Sequence, residues 1–394
     1  MRARNVTDGV LWVGSIDWDR QLFDELIPLP DGTSYNAYLV QGSDRTALID
    51  TVDPTKTGEW HGLLDALRLT KVDYLIANHA EQDHSGSIPF ILERFPDAKL
   101  VCTPKAKGML IDLLHLDESR IATVSDGEKL SLGDMTLEFI HAPWVHWPET
   151  MLTYLPERRL LFPCDLFGSH LATSELFMSD ASRVFRAAKR YYAEIMMPFR
   201  NLIERHLERL SGYDIDIIAP SHGPLYDDAQ FIMDVYRDWV SGPLANKVVV
   251  PYVSMHGSTQ VLVDRLIGSL ADNGVVTVPH RIAQGDTGRL AMELVDAATV
   301  VLGTPTVLAG AHPQVAYAAM LANALRPRVM FASIVGSFGW GGKAVDQLLS
   351  IIPNLKVELL APVIIKGFPT DSDLDAIDQL AAGIAEKHRG AGVM

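Results

Sequence analysis

Residues 79–84 read His-Ala-Glu-Gln-Asp-His, which places two imidazoles (His79, His84) and two carboxylates (Glu81, Asp83) in one short stretch. Groups of this kind, so close together, are costly to bury without a cation. Imidazole nitrogen and carboxylate oxygen are donors for first-row metals, so a site for more than one ion is the economical reading. Val72, Tyr74, Leu75 and Ile76 lead in, and Ile88 to Leu92, with a proline near its start, lead out. This predicts a buried strand, a polar loop at its carboxyl end, and then a helix. Alternation along an extended chain would turn positions 79, 81 and 83 to one side, with His84 turning in from the bend.

Three more candidates stand at the ends of predicted strands: His146, Asp165 after Leu160–Cys164, and His222 after Ile217–Ser221. Together these make four histidines and three carboxylates, enough for two metals that share a carboxylate. Asp165 is the natural bridge, because it can offer one oxygen to each ion. His141 is the nearest rival to His146, five residues away. Asp126, in Ser125-Asp126-Gly127, reads as a turn former rather than a ligand.

A second constellation lies in the carboxyl-terminal part. A predicted strand runs into Ser254-Met255-His256-Gly257-Ser258-Thr259, which opens a helix. Hydroxyls and backbone N–H groups at a helix start cradle phosphate. No lysine lies between 248 and 279, which argues against a P-loop and suits the monophosphate of FMN. Two further loops, Gly303 to Gly310 (with Pro305, Thr306, Val307 and Leu308) and Ser337-Phe338-Gly339-Trp340-Gly341-Gly342, follow later strands. Glycines there allow close approach of backbone to a planar ring, and Trp340 can stack on it.

The elements that must position these residues fall into two rhythms. Residues 9–52 read as short strands, among them Gly9–Val13, Tyr35–Val40 and Thr46–Asp50, and strands with interspersed helices continue to Ile215–Ala219 and a helix over 226–240. Polar residues at strand ends throughout imply a layered αββα domain. After Ser241-Gly242-Pro243, five predicted strands alternate with helices, the pattern of a doubly wound parallel sheet. We place a metal-binding domain over 1–245 and a flavodoxin-like domain over 246–394.

The 394 residues carry a net charge of -15, with 48% hydrophobic and 21% charged residues. That is ordinary for a globular enzyme and disfavours nucleic-acid binding as a main role. Two cysteines, Cys102 and Cys164, are too few for a disulfide framework or a cysteine-ligated cluster. The amino terminus shows no apolar signal core, and no apolar run is long enough to span a membrane. A cytoplasmic enzyme is expected.

The loop resembles that of the metallo-β-lactamase superfamily, whose usual form is His-x-His-x-Asp-His, with Glu81 in place of the second histidine. The extra carboxylate oxygen suits iron better than zinc. The form His-x-Glu-x-Asp-His followed by Ser-Gly resembles the flavodiiron proteins. That resemblance implies that one iron takes His79, Glu81 and His146, the last just before Trp147-Pro148. It gives Asp83, His84 and His222 to the other iron, with Asp165 bridging. The later loops are similar to the family's Gly-Ser-Pro-Thr and Ser-Phe-Gly-Trp-Ser-Gly loops. His256 stands where an aromatic such as tyrosine is common, and Val307-Leu308-Ala309 replaces a more polar run. The resemblance covers essentially the whole chain, including residues 26–38. It implies an oxidoreductase that reduces O2 to water, NO to N2O, or both, with electrons relayed through FMN to a non-haem diiron centre. The donor would be rubredoxin or reduced deazaflavin (F420). The assembly would be a head-to-tail homodimer or a dimer of dimers, without a fused rubredoxin. Trp147, Tyr191 and His170 are candidates for tuning the choice of gas. Two alternatives are a zinc hydrolase with a fused flavodoxin-like module and an electron carrier that uses only the second domain.

Overall fold

The structure is a computed structural model and describes residues 2–394; Met1, with which the expected first domain opens, lies outside them. The chain forms two compact units, one running to Tyr192 and resuming over Phe199–Val240, the other comprising Ala193–Pro198 and Ser241–Met394.

In the first unit, short apolar runs pair into a seven-stranded sheet. Its spatial order is Arg4–Thr7, Val10–Trp12, Tyr38–Gln41, Thr46–Ile49, Tyr74–Ile76, Lys99–Cys102 and Ile121–Thr123. A five-stranded sheet comprises Lys129–Ser131, Thr136–His141, Met151–Leu155, Leu160–Phe162 and Ile217–Ile218. Alternation explains the layering. Ala47, Ile49, Ile76 and Val101 meet Leu137, Phe139 and Phe162 in a core between the sheets. Their neighbours Leu48, Leu75 and Leu100 turn the other way and pack with Trp60, Ile91 and Leu110 from the helices Thr57–Ala66, Ile88–Arg94 and Pro104–Leu114. On the far face of the second sheet, Tyr154 packs edge-on against Tyr213, just beyond helix Arg200–Leu210, and Tyr213 donates to Glu138 at 2.9 Å. The result is the expected αββα sandwich.

Two local expectations need correction. The stretch Tyr35–Val40 is not one strand: Thr33–Tyr35 pairs with Ser15–Asp17, while Tyr38–Gln41 joins the large sheet. Buried Asn36 sits at the break, accepting from Trp12 Nε1 and donating to the carbonyls of Pro220 and Gly223, all at 2.8 Å. The metal-candidate loop is not extended through Asp83 either, because Gln82–Ser85 forms a helical turn.

The second unit holds a parallel sheet in the order Val276–Arg281, Ala245–Tyr252, Ala297–Val307, Phe331–Phe338 and Glu358–Leu359. This is the 2-1-3-4-5 order of flavodoxin-like folds. The fifth position continues as Val363–Lys366, absent from the sequence reading, whose register is shifted by one residue (Ala332↔Leu359, then Val335↔Val363). Helices Ser258–Asp272 and Asp371–Gly390 cover one face and Thr287–Leu294, Pro313–Leu325 and Ala344–Ile351 the other. Pro305, Thr306 and Val307, read as loop, complete an 11-residue strand that turns through Leu308 and Ala309 (φ 50° and 66°) into Gly310–Ala311. Ser337 and Phe338 likewise end a strand. Among the described residues, no helix is long and apolar enough to cross a membrane.

Candidate metal centre and cofactor cleft

Four strand ends of the first unit converge at one end of its sandwich. His79 follows Tyr74–Ile76, Asp165 follows Leu160–Phe162, His222 follows Ile217–Ile218, and His146 lies between Thr136–His141 and Met151–Leu155. The loop geometry divides the work. His79 and Glu81 lie in the extended part, whereas Asp83 and His84 sit on the helical turn. Two donor groups result: His79, Glu81, His146 and Asp165 in one, Asp83, His84 and His222 in the other.

Asp165 faces both groups. Its Oδ2 lies 3.2 Å from His146 Nε2 and 3.5 Å from His79 Nε2; its Oδ1 lies 3.1 Å from His84 Nε2 and 3.4 Å from His222 Nε2. Glu81 Oε2 is 3.1 Å from His79 Nε2 and 3.2 Å from His146 Nε2, while Asp83 lies 3.3 Å from His84 and 3.2 Å from His222. Both oxygens of Asp83 and Asp165, and His84 Nε2, are buried yet have no hydrogen-bond partner despite these approaches. Donors about 2.1 Å from a shared ion and at right angles to each other lie about 3 Å apart. The seven side chains present their Nε2 and carboxylate oxygens to two points on either side of Asp165, and their chemistry fits two ions, one on each side of it.

The outer atoms of the imidazoles are fixed. His222 Nδ1 donates to Ser34 O at 2.7 Å, and His79 Nδ1 donates to Glu149 Oε1 at 2.7 Å, leaving each Nε2 for the centre. Glu149 Oε1 also accepts from Ala80 N at 3.0 Å. This buried carboxylate was missed in the sequence reading; the available signal was its place three residues after His146, in a loop already singled out. Without a cation, burial pulls His79 and His222 toward the neutral form. For His79, its bonds to the accepting carboxylates of Glu149 and Glu81 outweigh it, and for His222 the close carboxylates of Asp165 and Asp83 do; both rise to about 10. Burial likewise opposes charge on His84 and His146, but Asp165 with its carboxylate neighbours raises both to about 9. Protons then hold the place that metal ions take, so loading releases protons.

His141 points away and bonds Val124 O at 3.1 Å, while Asp126 accepts from His141 N and Arg209. The Trp147 ring lies edge-on to His79 at 5.1 Å. His170 is buried between Phe23, Tyr191 and His222, with Nδ1 2.9 Å from Thr33 Oγ1 and Nε2 unpartnered.

In the second unit a cavity of about 210 Å³ opens at the carboxyl ends of the strands, where doubly wound sheets take ligands. Met255, His256, Ser258, Thr259, Pro305, Thr306, Ser337, Phe338 and Gly339 line it, joined by Gly367, which the sequence reading lacked. Thr259 Oγ1 is buried without a partner at the start of the 15-residue helix Ser258–Asp272. Ser254 Oγ instead accepts from Gln260 N, and Gly257 takes φ 94° to start the helix. Val307, Leu308, Gly310, Trp340 and Gly341 do not line the cavity; Leu308 and Trp340 are 91% and 74% exposed. An orphaned hydroxyl at a helix start fits a phosphate.

Residues 33–223 match the model of the ODP family beta lactamase. The chain is 36% identical over 97% of its length, and 98% of the relative, to the nitric oxide reductase of Moorella thermoacetica. It superposes on the rubredoxin oxygen:oxidoreductase of Desulfovibrio gigas with a TM-score of 0.95, at 30% identity, covering 98% of this chain and 99% of that one. The flavodiiron protein of Giardia intestinalis gives 0.89 at 28% identity, with 98% of each chain covered. With likeness along both units and a donor set divided by one aspartate, this chain belongs to the flavodiiron protein family and is an oxidoreductase.

Proposed function

We propose that this protein reduces O2 to water, NO to N2O, or both, at a diiron centre in the first unit, with FMN in the second unit relaying electrons from rubredoxin or reduced F420. The observation that carries the reading is the split of Asp165 between two buried donor groups, Oδ2 toward His79 and His146, Oδ1 toward His84 and His222. His79, Glu81 and His146 would hold one iron, and Asp83, His84 and His222 the other. An iron pair supplies the electrons and open coordination positions that a diatomic gas needs, and the flavin supplies one electron at a time.

The chain's own residues do the rest. Glu149 and the Ser34 carbonyl hold the imidazoles of His79 and His222 in the tautomer that presents Nε2 inward. The Trp147 and Phe23 rings narrow the surroundings of His79 and His222. The helix start at Ser258 and Thr259 would hold the flavin phosphate, with Pro305, Thr306, Ser337, Phe338 and Gly339 around the remainder of the cofactor. The iron chemistry belongs to residues 1–245 and the flavin to 246–394, in a cytoplasmic head-to-tail dimer or a dimer of dimers. The oxygen-rich donor set and the oxidoreductase relatives both argue against a zinc hydrolase. Elemental analysis, together with O2 and NO consumption under each donor, tests the proposal. Two irons and one FMN per chain with gas consumption are expected; two zincs without iron, or no turnover of either gas, would overturn it.

A further inference from the structure

His170 is a buried polar side chain that the proposed mechanism leaves unused. Phe23, Tyr191 and His222 enclose its ring, at 5.0, 4.8 and 4.9 Å between centroids, and burial favours the neutral imidazole. A neutral ring carries one N–H, and its contacts decide which nitrogen holds it. Thr33 Oγ1 lies 2.9 Å from Nδ1. The alternative acceptor for that hydroxyl, Ser34 O, is farther at 3.3 Å and already takes the His222 N–H at 2.7 Å. The Thr33 hydroxyl therefore donates to Nδ1, and the ring proton sits on Nε2. That nitrogen is buried and has no partner within the protein. A buried donor left without an acceptor is costly. Thr33 occupies the Nδ1 edge of the ring, so the Nε2 edge is the one left for the metal pocket. The titratable groups that act on the ring are His222, Asp165, His84 and Glu81, all of them candidate metal ligands.

We infer that His170 is the hydrogen-bond donor to the molecule bound on the His222 side of the metal pocket: its Nε2–H meets a small anion, or an atom of the gas that gains negative charge as electrons arrive. A donor fixed in place before the reaction stabilises such charge without reorganisation. The inference rests on the proposed metal centre, and it gives Thr33 the task of setting the tautomer.

The test titrates the oxidised full chain, loaded with iron and FMN, with azide. Binding is read by the azide-to-iron charge-transfer band and by the infrared stretch of bound azide in H2O and in D2O. Wild type, His170→Gln and His170→Leu are compared at equal iron content. His170→Leu should bind azide about tenfold more weakly, the low end for a hydrogen bond to a charged acceptor. His170→Gln keeps an N–H and should recover most of the difference. The stretch should shift on exchange into D2O in wild type and His170→Gln but not in His170→Leu. Equal affinity in all three proteins, no azide band in iron-loaded wild type, or a wild-type stretch indifferent to D2O overturns the inference and leaves the metal centre standing; the last two results need no variant to fold. Failure of the wild type to take up iron overturns both.

Discussion

Replacing Glu149 by glutamine removes one charge beneath the proposed metal centre and little else. Glu149 Oε1 accepts from His79 Nδ1 at 2.7 Å and from Ala80 N at 3.0 Å, and both side chains are fully buried. A hydrogen bond to a charged group contributes about 1.5–3 kcal/mol. A glutamine oxygen can still accept, so the loss is the charge-assisted part of two such bonds, roughly 1.5–2.5 kcal/mol. That corresponds to about 10- to 100-fold in metal affinity, the range usual for residues that orient a ligating histidine. Competition of the iron-loaded protein with a chromophoric chelator measures it, with circular dichroism confirming the fold. The ion proposed to lie among His79, Glu81 and His146 should be lost about 10- to 100-fold more readily in Glu149→Gln, while the other changes little. Unchanged affinity for both ions would refute the reasoning, since the Nε2 of His79 would then be aimed without help from Glu149.

Three further outcomes follow from other contacts. Asn36→Ala strands the Trp12 N–H and the Gly223 carbonyl in the interior, while the Pro220 carbonyl keeps only the Tyr38 hydroxyl at 2.7 Å; a loss of about 2–4 kcal/mol, read by chemical denaturation, should accompany weaker metal retention next to His222. Gly223→Ala places a Cβ 2.6 Å from Ser169 O at φ +80°, so it should lower the melting temperature by several degrees, consistent with about 1–3 kcal/mol of strain, and release metal earlier on heating. His388 is buried, with Nδ1 donating to Asn246 and Nε2 2.7 Å from Thr299 Oγ1, and burial lowers its pKa below the usual 6.5. The unfolded chain then binds the extra proton first, so this contribution is complete above about pH 6.5 and is lost as pH falls through the lowered value; thermal melts between pH 5 and 8 should show the advantage of wild type over His388→Gln shrinking below that point.

The chain itself already carried much of this molecule. The 79–84 stretch and the strand-end residues His146, Asp165 and His222 hold chemical types that leave few alternatives, because buried imidazoles and carboxylates demand a cation. The alternation of strands and helices after residue 246 likewise leads to a parallel sheet. What only the folded chain decided is geometry set by contacts distant in sequence. Asn36 splits a predicted strand because its amide bonds chain segments near residues 12 and 220. Asp83 reaches its group from a helical turn, a local conformation that period-two alternation cannot foresee. Glu149 acquires its role from a partner 70 residues away. The two oxygens of Asp165 separate seven ligand candidates into two groups, and that division exists only where four strand ends meet. Residue chemistry is local and can be read one letter at a time, whereas the direction of a lone pair depends on the packing of the whole sandwich.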